Sequence, residues 1–182
     1  MFKIIFVSFF MTSIAFANET THNVGIEYGY SEIKNNTSEM TSELNDSFTS
    51  HYSISYKHKV SENISIGLSY LKGDSSKAEG IFADLFTDSK IKYNAALFSA
   101  TANYPISKKN YLYVEVSALK YNYDAIDDDK VFYNENGNDV GFSFGWMYEF
   151  DNGIGIKAGY EALSFGEHID IRGFNTGVSY RF

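Results

Sequence analysis

Along residues 140–150 every second side chain is large and apolar: Val140, Phe142, Phe144, Trp146, Tyr148 and Phe150. Between them lie Gly141, Ser143, Gly145, Met147 and Glu149. An extended chain sends successive side chains to opposite faces, so this segment reads as a strand with one apolar face. The same alternation recurs near residues 24–31, 50–60, 64–72, 93–104, 111–123, 154–163 and 174–182. Eight such segments make an all-β chain in which every strand has an apolar face to cover. The 15 Tyr and 16 Phe agree, because aromatic side chains favour strands.

Strand length and link length decide how those faces are covered. Beyond the first 17 residues no stretch approaches 18 consecutive apolar residues, so no membrane helix is expected. About ten residues is the length a tilted strand needs to cross a bilayer. An open sheet would leave backbone groups unpaired in lipid, so crossing strands must close into a barrel. Links 61–63, 107–110 and 151–153 are tight, whereas 34–49, 73–92 and 124–139 are long and polar, and 165–170 is a shorter fourth. Short turns at one end and long loops at the other mark a membrane barrel, with both termini at the short-turn end. Pro105 falls at a turn, where its missing N–H costs least. A soluble barrel would alternate too, but its wet face would carry denser Lys and Glu than the Gly and Ser found here. Aromatics near segment ends (Tyr70, Tyr104, Tyr148, Phe150, Tyr180, Phe182) suit the two membrane interfaces. The expected fold is an all-β, transmembrane, eight-stranded antiparallel up-and-down β-barrel.

Residues 1–17 read as a signal peptide. Met1-Phe2-Lys3 is a positive start, residues 4–16 are apolar apart from Ser8, Thr12 and Ser13, and Ala15-Phe16-Ala17 is a small-x-small cleavage site. The run is too short to span a bilayer. Residues 18–182 then form one barrel domain. With no Cys there is neither a disulfide nor a thiolate metal site. Loss of Lys3 from the 15 basic residues leaves 14 against 23 acidic ones, a formal charge of −9. That balance argues against nucleic-acid binding and against attraction to anionic surfaces by net charge.

The segment 174–182 sets Phe174, Thr176, Val178, Tyr180 and Phe182 against Asn175, Gly177, Ser179 and Arg181. Asn175, Gly177, Tyr180 and Phe182 resemble the C-terminal assembly signal of bacterial outer-membrane β-barrels. Together with Gly141-Phe142-Ser143-Phe144-Gly145 and Gly159-Tyr160-Glu161, they make the chain similar to the small outer-membrane barrel proteins of the OmpX/Ail/Lom type, and more loosely to the barrel domain of OmpA. The resemblance implies a monomeric, non-enzymatic surface protein of the Gram-negative outer membrane. It would be inserted by the barrel-assembly machinery with periplasmic chaperones, and would contact membrane lipid and lipopolysaccharide. Its role would be structural, adhesive or in envelope integrity, with any host or surface ligand reached through the long loops. The peptidoglycan-binding role of OmpA's further domain is not expected here.

Glu27, Glu115, Glu149 and Glu161 balance Lys57, Lys59, Lys157 and Arg181 on the polar faces. Buried charges are tolerable when paired, and an eight-stranded barrel is just wide enough for side chains to fill. The interior is therefore expected to be filled by ion pairs, Glu27 with Arg181 among them. A small ion-conducting channel is the alternative reading. A lipid A-modifying enzyme is a third. The deacylase pattern His-x-Ser-Asn with an acidic partner is incomplete in His51-Tyr52-Ser53-Ile54, and His168 has no nearby Ser. Residues 18–23 are too few for the amphipathic helix of the palmitoyltransferase type. Both histidines read as surface or strand-end residues. Asp124, Asp127, Asp128 and Asp129 lack the spacing and central Gly of a Ca²⁺ loop and read as solvated. Ile81, Phe82, Leu85 and Phe86 have helical spacing and are expected to cap the barrel mouth. No cofactor or metal is expected.

Overall fold

The computed structural model describes residues 22–35, 47–76, 90–127 and 130–182. They form eight strands: β1 (His22–Asn35), β2 (Ser47–Lys59), β3 (Ile64–Ser76), β4 (Lys90–Pro105), β5 (Asn110–Asp127), β6 (Lys130–Glu149), β7 (Ile154–Phe165) and β8 (Ile169–Arg181). Each strand pairs antiparallel with the next, and β8 pairs with β1, closing the expected eight-stranded barrel. The seam is tied by Phe182 N–H donating to the His22 carbonyl at 2.9 Å and His22 N–H donating to the Phe182 carbonyl at 3.1 Å. The β6–β7 turn is tight: Phe150 N–H donates to the Ile154 carbonyl at 2.7 Å. Gly153 holds φ +85 there, a left-handed geometry open to Gly at no steric cost.

The polarity of the alternation reverses partway along most strands. Near the tight turns the outward side chains are apolar: Val24, Ile26, Ile54, Leu68, Phe98, Leu112, Val114, Phe142, Phe144, Ile156 and Val178 are all exposed on the barrel wall. From Val140 to Phe150, at about 3.3 Å per residue and a tilt near 40°, this face rises about 25 Å, the height of a membrane girdle. Tyr28, Tyr52, Tyr70 and Phe174 line its outer rim, and Tyr104, Trp146, Phe150, Tyr180 and Phe182 its inner rim. Above the outer rim the outward residues become Lys34, Lys72, Asp74, Lys92, Lys120 and Arg172, all exposed.

The inward residues change in the opposite sense. Below, they are Gly, Ser and paired charges. Above, Ile33, Leu71, Ile91, Tyr93, Ala95, Leu97, Leu119, Tyr121, Tyr123, Leu163, Phe165, Ile169 and Ile171 form a buried apolar cluster. The membrane-embedded part is thus apolar outside and polar inside. The end that stands in water has its apolar side chains inside, as a soluble barrel does. Burying them drives closure of that end by the hydrophobic effect.

This reversal corrects the strand limits. Residues 124–139 are not a loop: β5 and β6 stay paired out to Asp127↔Lys130, with a register shift at Ala125/Ile126. The last link shrinks to a turn at residues 166–168, with Ile169 and Asp170 already in β8. Residues 1–17, Ile81, Phe82, Leu85, Phe86, Asp128 and Asp129 lie outside the described residues.

Candidate functional site

Within the girdle the inward charges meet in pairs. Lys157 Nζ lies 2.6 Å from Glu27 Oε1 and 5.1 Å from the centre of the Tyr113 ring, a cation–π distance. Lys57 pairs with Glu115, and Thr101 Oγ1 donates to the same carboxylate at 2.6 Å. Arg181 NH1 lies 2.6 Å from Glu149 Oε1 at the tight-turn end. The expected Glu27–Arg181 pair is therefore not formed. The register explains why: Arg181 faces Asn23 on β1, while Glu27 faces Gly177, four residues further along. Lys59 lies at the inner mouth and makes no ion pair among the described residues.

Three small cavities of about 90, 80 and 30 Å³ rise from that mouth among these side chains. The last is walled by Leu71, Leu97 and Leu163 of the apolar cluster. The space is polar from below and blocked above. Ion pairs line the lower part of the interior, and apolar side chains fill the upper part.

A buried node joins the two parts. Glu161 receives Ser31 Oγ at 3.2 Å and Asn175 Nδ2 at 3.2 Å, and its Oε1 lies 2.8 Å from His51 Nε2. Tyr113 donates to Asn175 Oδ1 at 3.3 Å. On the other side Thr49 gives its single proton to the Asp74 carbonyl at 2.7 Å, so Tyr93 donates to Thr49 Oγ1 at 2.8 Å. His51 Nδ1 stands 3.3 Å from the Tyr93 oxygen. His51 is only 3% exposed, which corrects its reading as a surface or strand-end residue. The signal that could have found it is its inward phase, odd-numbered with Ser53, Ser55 and Lys57. A Cβ at Gly29 would collide with the His51 ring and Glu161, so this close approach requires Gly. An imidazole between a carboxylate and a phenol is an acid–base pair by chemistry. The hydroxyl facing Nδ1 is that of a packed tyrosine, not a serine. Every group in the node is held by its neighbours, and such satisfied networks fix one packing of a core.

A second cluster sits above the girdle, on the inner face of the β5–β6 hairpin. Glu135 accepts from Tyr121 at 3.0 Å, from Tyr123 at 2.8 Å and from Tyr133 at 2.8 Å. His168, in the β7–β8 turn, lies 3.8 Å from the same carboxylate. Gly166 N–H donates to Asp139 Oδ2 at 2.9 Å, so the turn is fastened to β6 at two points. Burial raises the Glu135 pKa, but the three hydroxyls and His168 outweigh it and hold the carboxyl below its ordinary value. Burial, then the hydrogen bond to Glu135, pushes the Tyr121 hydroxyl up to about 12, and Tyr123 higher still. Sequence reasoning missed this cluster because residues 124–139 read as loop. Asp124, one of the acidic run, points outward and accepts from Asn134 Nδ2 at 2.6 Å. Among the described residues no three acidic or His side chains converge as metal ligands.

Of the final-strand residues, Asn175 and Gly177 face inward, while Tyr180 and Phe182 are exposed at the inner rim, their rings stacked at 6.4 Å. Phe182 also stacks on His22 at 5.8 Å.

No curated protein matches this sequence. Among solved structures, the chain is similar to Neisserial surface protein A (TM-score 0.69, 11% identity, 88% of this chain and 97% of that one). It is also similar to Ail, the attachment invasion locus protein of Yersinia pestis (TM-score 0.61, 15% identity, 90% and 99%). A third likeness is to the N-terminal β-barrel domain of Pseudomonas aeruginosa OprF (TM-score 0.54, 14% identity, 87% and 97%). These likenesses concern the fold. A family model for the outer membrane protein beta-barrel domain matches residues 3–182. This closed, girdled barrel belongs to the outer membrane protein beta-barrel domain family and resides in the outer membrane.

Proposed function

We propose that this barrel is a non-enzymatic surface protein that presents the outer ends of β4, β5 and β6 to a ligand outside the cell, in an adhesive or envelope-organising role. One observation carries the reading. β6 is paired with β5 from Lys130 onward, but β7 joins it only at Gly141↔Leu163, so among the described residues no strand lies beside residues 134–140 on that side. An open strand edge accepts an extended segment of another chain. The fold spends many residues on this sheet, above the height needed to cross the bilayer. Residues 1–17 serve as the export leader. Asn175, Gly177, Tyr180 and Phe182 address the chain to the assembly machinery and its chaperones, and the folded protein is a monomer.

The test excises residues 121–137 and joins Lys120 to Asn138, a cross-strand pair, through an Asn-Gly turn. Heat-modifiable migration on gels reports whether the barrel still folds. Bacteria displaying the full chain should adhere to epithelial monolayers or to one another more than bacteria displaying the shortened one. Equal adherence, with both barrels folded, would remove the sheet from the function. The channel reading gains no support from an interior closed by the apolar cluster.

A further inference from the structure

We propose that His22 and His58 form a binding site for a divalent transition-metal ion of the Zn²⁺ class, bridging β1 and β2 at the inner rim of the barrel. The two residues are direct partners in the β1–β2 ladder, and both share the outward phase of Val24 and Tyr56. Their closeness follows from the backbone. His22 spends both its N–H and its carbonyl on Phe182 of β8. A strand residue sends these two groups to the same side, so toward β2 His22 stands in a non-hydrogen-bonded pair, the closer of the two antiparallel arrangements. The Cβ atoms of directly opposed residues start about 4.5–5.5 Å apart. The two imidazoles accordingly lie 5.1 Å apart, centre to centre.

The surroundings of each ring suit a ligand. Nδ1 of His22 lies 2.6 Å from the Tyr56 hydroxyl. With Nδ1–H donating to that oxygen, Nε2 is the nitrogen left for a metal, and the phenol orients the ring as outer partners of metal-binding histidines do. Nδ1 of His58 is buried and has no hydrogen-bond partner among the described residues. A buried polar atom is ordinarily paired, so this one lacks a partner that a metal ion would supply. No hydrogen bond fixes Nδ1, so rotation about the Cβ–Cγ bond can present either nitrogen of that ring. Both side chains are half-buried, within reach of ions at the aqueous rim. Imidazole donors select Zn²⁺, Cu²⁺ or Ni²⁺, whereas Ca²⁺ and Mg²⁺ require oxygen ligands. Among the described residues no third acidic or His side chain converges there, so water completes the coordination. The ion would tie β1 to β2 at the residue that also closes β1 onto β8.

The refolded barrel, free of any affinity tag, is titrated with Zn²⁺ and with Mg²⁺ at neutral pH by calorimetry. The expected result is one Zn²⁺ per barrel and no binding of Mg²⁺. His22→Gln and His58→Gln should each weaken Zn²⁺ binding about tenfold or more in a barrel that remains heat-modifiable. Binding unchanged in both variants, or Mg²⁺ bound as tightly as Zn²⁺, would overturn the site. Footprinting of the unmutated barrel gives a second readout. Diethyl pyrocarbonate acylates accessible imidazoles, and peptide mass spectrometry locates them. Zn²⁺ should slow the modification of His22 and His58 and leave that of His168 unchanged. Equal rates at His22 and His58 with and without Zn²⁺ would show a stacked pair of rings and no metal site.

Discussion

Phe165→Ala tests the idea that the outer end of the barrel is a soluble-type core. Phe165 ends β7 on the inner face and is fully buried. Its ring stacks on Tyr121 at 5.1 Å and 9° and meets Tyr93 edge-on at 5.4 Å and 66°. Truncating a buried Phe removes its transfer free energy and leaves a cavity, together about 3–5 kcal/mol, of which each aromatic pair accounts for about 0.5–1.5 kcal/mol. Phe174→Ala is the control from the neighbouring strand. That ring is 73% exposed and lies on lipid, with one edge-on contact to Tyr160 at 5.7 Å, so its transfer is the main loss, about 1.5–3 kcal/mol, and lipid fills the space. Urea unfolding of the barrel in lipid vesicles, followed by Trp146 fluorescence, measures both. Phe165→Ala should cost more than Phe174→Ala by at least about 1 kcal/mol. A Phe165→Ala variant within about 1 kcal/mol of the parent would refute the packed upper core.

Lys157→Met should strand Glu27 and destabilise the barrel by about 3–5 kcal/mol in the same assay, with Glu27→Gln restoring much of the loss. Arg181→Ala should strand Glu149 rather than Glu27, so a Glu149→Gln background should abolish its effect and a Glu27→Gln background should not. The tyrosine–carboxylate cluster should give the hairpin two pH limits. Glu135 sits below its ordinary value of 4.5 when folded, so its contribution is present above pH 4.5 and lost as pH falls below it. Tyr121 is raised from 10.0 to about 12, so its contribution is present below pH 10 and lost as pH rises toward 12. Proteolysis of the hairpin in vesicles should increase outside those limits, and Glu135→Gln should erase the acid limit.

The membrane strands were legible because their alternation keeps one phase for the whole crossing. Val140 through Phe150 could be aligned with lipid from the sequence alone. Their outer continuations were not, although they alternate as regularly. In Ile169-Asp170-Ile171-Arg172 the apolar residues are odd-numbered, whereas in Phe174-Asn175-Thr176 the apolar Phe174 is even-numbered. Reading for an outward apolar face turns such a segment into loop, though its hydrogen-bond ladder continues unbroken. The same reversal hid Tyr133 and Glu135, which continue β6 above Val140. The interior charges were identifiable as inward-facing, but their partners depend on register. Glu27 and Arg181 share adjacent strands and still miss each other, while Glu27 meets Lys157 of β7 over Gly177 of the intervening β8. The His51 node required knowing that β2 and β7 face one another across a narrow interior, which no local pattern records.

The most direct test of a filled barrel is single-channel recording of the refolded full-length protein in planar bilayers. The polar cavities end beneath Leu71, Leu97 and Leu163, so the parent protein should show no sustained conductance above the bare membrane. A combined Leu97→Ser and Phe165→Ser variant should admit ions. Steady open steps from the unmodified barrel would contradict the account.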